Sequence, residues 1–118
     1  MLIETLVISH LSGQLPGVSV VAEVPEEYTG EALVVVEKTA DSRNNRVMRA
    51  TFALQSYGGT LLDAATLSRQ VRSAMDSLVE RPEVSACRFE TDYNWTDETR
   101  KRYRYQAIYH ITYYDLED

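Results

Sequence analysis

The chain has 118 residues, 44% of them hydrophobic and 25% charged, with 5 Gly and 3 Pro. That length suits one domain with a real core, and the composition excludes a disordered or low-complexity chain. A net charge of −6 argues against tight binding to a phosphate backbone, and a single cysteine excludes an internal disulfide.

The opening stretch MLIETLVISHL places Leu2, Ile3, Leu6, Val7 and Leu11 at near-helical spacing, with Gly13 where a helix would stop. It carries Glu4 early, has no basic flank and is too short to span a bilayer, so the chain reads as a soluble intracellular protein. His10, near the end of this helix, is expected to favour the negative end of the helix dipole. QLPG is a turn. VSVVAEV, 18–24, alternates Val18, Val20, Ala22 and Val24 against Ser19 and Glu23, which predicts a half-buried strand. PEEYTGE, 25–31, is a loop broken by Pro25 and Gly30. The β-branched ALVVVEK, 32–38, predicts a second strand.

TADSRNNR, 39–46, is rich in turn formers and reads as a long polar tip between the second strand and a third. In that third strand Met48, Ala50, Phe52 and Leu54 share one face, and Arg49, Thr51 and Gln55 the other. A long helix follows the Gly58–Gly59 pair. Thr60 is its N-cap, Asp63 complements its positive end, and Leu61, Ala64, Leu67, Val71, Ala74, Met75 and Leu78 form its apolar stripe until Pro82 ends it. VSACRFETDY, 84–93, sets Cys87, Phe89, Thr91 and Tyr93 on one face, and NWTDETRK is a polar loop. The last strand sets Tyr103, Tyr105, Ala107, Tyr109, Ile111 and Tyr113 against Arg104, Gln106, His110 and Thr112. The order α-β-β-β-α-β-β predicts a single α+β domain spanning the chain, a mostly antiparallel sheet with both helices on one face.

Catalytic and metal motifs are missing from the sequence. It has no nucleophile elbow, phosphate-binding loop, dinucleotide fingerprint or C-x-x-C pair. Cys87, His10 and His110 are not at metal-ligand spacing, and His110 belongs to the face opposite Cys87. The acidic clusters fall in loops and at the C-terminal end. No enzyme activity, metal or cofactor is expected. The tyrosine face of the last strand has three readings: a plain core face, a stacking platform for single-stranded nucleic acid, or part of an interface between copies. Ten Arg against two Lys, with 8 Tyr, is the bias of protein interfaces.

Taken together, the helix ending near LSGQLPG, the hairpin with its tip at TADSRNNR, the helix TLLDAATLSRQVRSAMDSL and the closing RYRYQAIYHITYY resemble the tail-terminator (tail-completion) proteins of long-tailed bacteriophages. Neighbouring head–tail connector families share parts of this pattern. The resemblance implies a small α+β virion protein that forms a ring, hexameric in that family, on the head-proximal end of the tail tube. Such a ring stops tube growth and offers a surface for head joining. Its partners would be further copies of itself, the tail tube protein and a head–tail connector protein. It would involve no membrane and no specific nucleic acid, although DNA could traverse the lumen. On the resemblance, the contact candidates are Arg43 and Arg46 in the first hairpin and Trp95, Arg100, Lys101, Arg102 and Arg104 around the second. A monomeric adaptor domain of similar fold is the alternative from another class.

Overall fold

The structure, a computed structural model, describes residues 2–114. Helix α1 (Ile3–Gln14) is followed by β1 (Ser19–Val21), β2 (Leu33–Asn44), β3 (Val47–Gly58), α2 (Leu61–Asp76), a 3-10 turn (Leu78–Glu80), β4 (Val84–Asn94) and β5 (Tyr103–Tyr114). The five strands form one sheet in the order β1-β2-β3-β5-β4. β1 runs parallel to β2, and every other neighbouring pair is antiparallel. Both helices lie on one face, as the sequence predicts. α2 covers β3 and β5, while α1 packs beside it over β1 and β2.

Alternation along the strands builds the core. Val34 and Val36 of β2, Ala50, Phe52 and Leu54 of β3, and Ala107, Tyr109, Ile111 and Tyr113 of β5 point toward the helices. They meet Ile3, Leu6, Val7 and Leu11 of α1, and Leu67, Val71, Ala74 and Met75 of α2. Burying a large apolar side chain of this kind stabilises a fold by roughly 1.5–3 kcal/mol. A second, smaller cluster lies on the opposite face, where Leu33, Val35 and Tyr57 are covered by Val21, Val24 and Tyr28 from the segment after β1. The Tyr28 and Tyr57 rings meet edge-on at 5.5 Å.

Thr60 caps α2 as expected, its hydroxyl accepting from the Asp63 N–H at 3.1 Å. The helix is shorter than its apolar stripe. It ends at Asp76, and Leu78 reaches the core from the 3-10 turn. Leu61, assigned to the stripe, is instead 38% exposed at the first turn.

Four further expectations need correction. Residues 39–46 are not a long loop: β2 continues to Asn44, and only Asn45 and Arg46 turn the chain, Asn45 with φ of 63°. Polar side chains there reflect an edge position: past Val35, β2 is paired with β3 on one side and with no described strand on the other, so its outer backbone groups and its side chains meet water. β1 is three residues long rather than seven, and Val24 joins the cluster on the far face from Val20. In β4 the register shifts between Phe89 and Thr91, so one residue is inserted and the faces exchange. Cys87 and Phe89 face the core, while Asp92 takes the helix side and pairs with Arg72 of α2 at 3.0 Å. Thr91 and Tyr93 therefore belong to the other face. In β5, the core begins at Ala107, and Tyr103 is 37% exposed near the hairpin.

His10 also departs from its expected role. It is buried, and its Nε2 lies 2.9 Å from both the Ala74 carbonyl and the Ser77 hydroxyl, at the C-terminal end of α2. Arg81 Nε donates to Nδ1 at 3.2 Å, so the ring proton sits on Nε2 and is donated to the α2 terminus. The negative helix end that His10 meets is that of α2, not of its own helix.

Candidate interaction surface

The sheet face away from the helices has no helix over it, and its side chains bond across the strands in rows. In one row Gln55 Nε2 donates to Gln106 Oε1 at 2.6 Å and to Glu37 Oε1 at 3.2 Å, and Gln106 Nε2 donates to the Tyr93 hydroxyl. Register explains the row, because Gln55 on β3 faces Gln106 on β5, which faces Tyr93 on β4. Both glutamines are buried by this mutual packing. In a second row the Thr51 hydroxyl lies 3.3 Å from His110 Nδ1, and His110 Nε2 contacts Glu90 Oε1. Side-chain amides and hydroxyls linked this way fix the rotamers this face presents. Sequence reading found none of these rows. The alternation predicted a polar face, but only register shows which residues stand opposite one another.

A third row runs along the edge of this face. Arg104 stacks on the Trp95 ring, 3.9 Å from its centroid, while its Nε donates to the Trp95 carbonyl at 2.6 Å and its Nη1 to the Tyr57 hydroxyl at 3.1 Å. Trp95 is thus held under a guanidinium of its own chain and remains 41% exposed. Beyond it the β4–β5 connection stays paired, with Asp97 and Arg102 exchanging backbone hydrogen bonds at 2.9 and 3.0 Å. The carboxylate of Asp97 accepts from the backbone N–H groups of Thr99 and Arg100, and Lys101 takes a left-handed φ of 56° to close the turn.

The candidate contact residues fall into two groups. Arg43 and Arg46 sit at the β2–β3 turn, where Arg43 Nε donates to the Asn45 carbonyl. Trp95, Arg100, Lys101, Arg102 and Arg104 lie together at the opposite end, because Gly58 pairs with Tyr103 and Val47 with Tyr114. Eleven strand steps, about 36 Å, separate the two ends. No single contact patch contains all seven.

On the core side, Cys87 is half-buried. Burial, reinforced by the Asp76 carboxylate, pushes its thiol up to about 11, so it is protonated and a poor nucleophile at neutral pH. His110 projects from the other face of the sheet. Among the described residues no group of three or more His, Cys, Asp and Glu side chains could hold a metal ion, and no helix is long and apolar enough to cross a membrane.

No protein-family model matches the sequence, and no curated protein does. Among solved structures, the fold resembles a chain in the virion of a native gene transfer agent particle, with a TM-score of 0.56. The match covers 94% of this chain and 93% of that one at 11% sequence identity, so what is shared is the fold from end to end.

Proposed function

We propose that the protein is a structural virion component that closes into a ring, hexameric by resemblance, at the head-proximal end of a phage tail tube, where it stops tube growth and supplies the surface for head joining. The observation that carries this reading is the shared fold over nearly the full length of both chains, this one and one from a gene transfer agent virion. The surface supports it. A sheet face of bonded polar rows, an Arg-stacked exposed tryptophan and arginine-bearing hairpins at both ends suit contacts between proteins. On this reading the protein acts by shape, not as an enzyme, and its place is the neck of the virion, assembled in the host cytoplasm.

A closed ring needs a head-to-tail interface whose rotation brings the last copy back to the first. One side of the ring would meet the last layer of tube protein, and the other would present different chemistry to a connector. A neck protein that joins head to tail without stopping the tube would share the fold, and assembly separates the two roles. Light scattering and negative-stain imaging of the purified chain should show rings, alone or with tube protein. Tubes grown in its presence should stay short. A strictly monomeric chain that leaves tube length unchanged overturns the reading.

A further inference from the structure

A cavity of about 450 Å3 opens at the end of the sheet where Tyr28 and Gly59 meet Arg100, Lys101, Arg102 and Tyr103. Every charged side chain on its wall is a cation. Arg102 rests over the Tyr28 ring, 5.5 Å from its centroid, while Arg100 and Lys101 are exposed and make no side-chain bond among the described residues. Two acids close in sequence to the wall are engaged, whereas the Asp63 carboxylate, 3.9 Å from where a Cβ on Gly59 would stand, makes no side-chain bond among the described residues and lies at the positive end of α2. The Asp97 carboxylate accepts two backbone N–H groups, and that of Glu31 accepts from the Thr29 backbone and hydroxyl. Neighbouring unpaired cations facing one cavity are stabilised by carboxylates placed between them.

We propose that this cavity is a socket for the acidic segment 115–118 of a second copy of the chain. That segment reads Asp115, Leu116, Glu117, Asp118 and lies outside the described residues. Its three carboxylates match the three cations, and its leucine matches the apolar ring walls of Tyr28 and Tyr103. The segment cannot fill the socket of its own chain. β5 carries the chain about 36 Å away from the cavity, from Tyr103 to Tyr114. Four further residues span at most ~14 Å. Insertion of one copy's acidic segment into the next copy's basic socket is a head-to-tail contact, so this inference deepens the ring reading and rests on it for its role. The competing cations within one chain are Arg43 and Arg46, on the hairpin beside Tyr114.

A labelled peptide of residues 114–118 provides the test, with binding measured by fluorescence anisotropy at low ionic strength. The receptor is the full chain with its own segment neutralised (Asp115→Asn, Glu117→Gln, Asp118→Asn). The socket predicts saturable binding that added salt weakens, and that Arg100→Glu with Lys101→Glu weakens by about ten-fold or more. Arg43→Glu with Arg46→Glu should leave it unchanged. Both pairs lie at hairpin tips, and circular dichroism checks that each variant is folded. Absence of binding, or loss with the Arg43 and Arg46 pair in place of the Arg100 and Lys101 pair, overturns the socket. Rings that persist unchanged when the segment is neutralised also overturn it and leave the ring reading standing. Peptide binding at Arg100 and Lys101 by a chain that never forms rings supports the socket and removes the ring.

Discussion

Tyr109 is the largest fully buried side chain among the described residues, and its position carries a small cost. Its ring is 1% exposed and packs edge-on against Phe89 at 5.5 Å, yet its hydroxyl has no hydrogen-bond partner among the described residues. A buried hydroxyl without a partner loses its water and gains nothing in return. Tyr109→Phe should therefore leave stability unchanged or raise it by up to about 1 kcal/mol in urea unfolding. A loss of that size would reveal a partner for the hydroxyl. His10 is the contrasting case, a polar group fully employed. Removing its imidazole strips acceptor and donor partners from Arg81, Ser77 and the Ala74 carbonyl at once. His10→Ala should cost roughly 1–3 kcal/mol, mainly through the void and the acceptor lost to Arg81 Nε, since the Ala74 carbonyl and the Ser77 hydroxyl remain bonded to each other.

At the scale of elements, the junction from β3 to α2 holds the most tightly packed of the glycines. A Cβ on Gly58 would stand 2.7 Å from the backbone nitrogen of Ala64 and 2.8 Å from Asp63 Cβ. The obstacle is the first turn of α2 itself, which cannot swing away as a side-chain tip could. Gly58→Ala should lower stability by about 1–3 kcal/mol through overpacking, whereas Gly59→Ala, with its nearest contact at 3.5 Å, should be far milder. Thermal melts of the two variants side by side check the contrast. Much of the element pattern was legible in the sequence because it depends on local signals. The Thr60 cap, the stripe of α2 and the alternation of β3 and β5 each announce themselves within a few residues. Elements decided by non-local pairing were not legible. The residue inserted in β4 beyond Phe89 moves Asp92 to Arg72 and Tyr93 to Gln106, and no window of β4 alone shows it. Likewise, 39–46 is polar because β2 is at the sheet edge there, and only its pairing with β3 makes it a strand. Of the candidate contact residues, the sequence identified the basic character, but only strand register shows that they occupy two opposite ends.

Across the whole molecule, burial leaves the fold dependent on protons held by groups that would ordinarily release them at high pH. Cys87 is raised from its ordinary 9.0 to about 11 by burial and by the Asp76 carboxylate. Tyr28 is raised to about 12, mainly by burial, then by Glu31 and Tyr57 against an opposing pull from Arg102, and burial raises Tyr109 further still. Each of these groups is neutral when protonated, so the folded chain keeps protons that the unfolded chain gives up. Above about pH 9 the unfolded state therefore binds fewer protons, and stability must fall as pH rises. Below that pH the contribution is fully present. Urea midpoints should hold steady from neutral pH to about pH 9 and then decline as Cys87 and the tyrosines enter their unfolded titration range. Cys87→Ala, whatever it costs in packing, should flatten the first part of that decline, and Tyr109→Phe the later part. In the wild-type chain the Cys87 thiol should resist alkylation at neutral pH until denaturant exposes it, which separates the buried thiol from surface titration. A midpoint unchanged through pH 10.5, or an alkylation rate equal in folded and unfolded chains, would mean that β4 opens and that the sheet edge carrying Cys87 is not packed against α2.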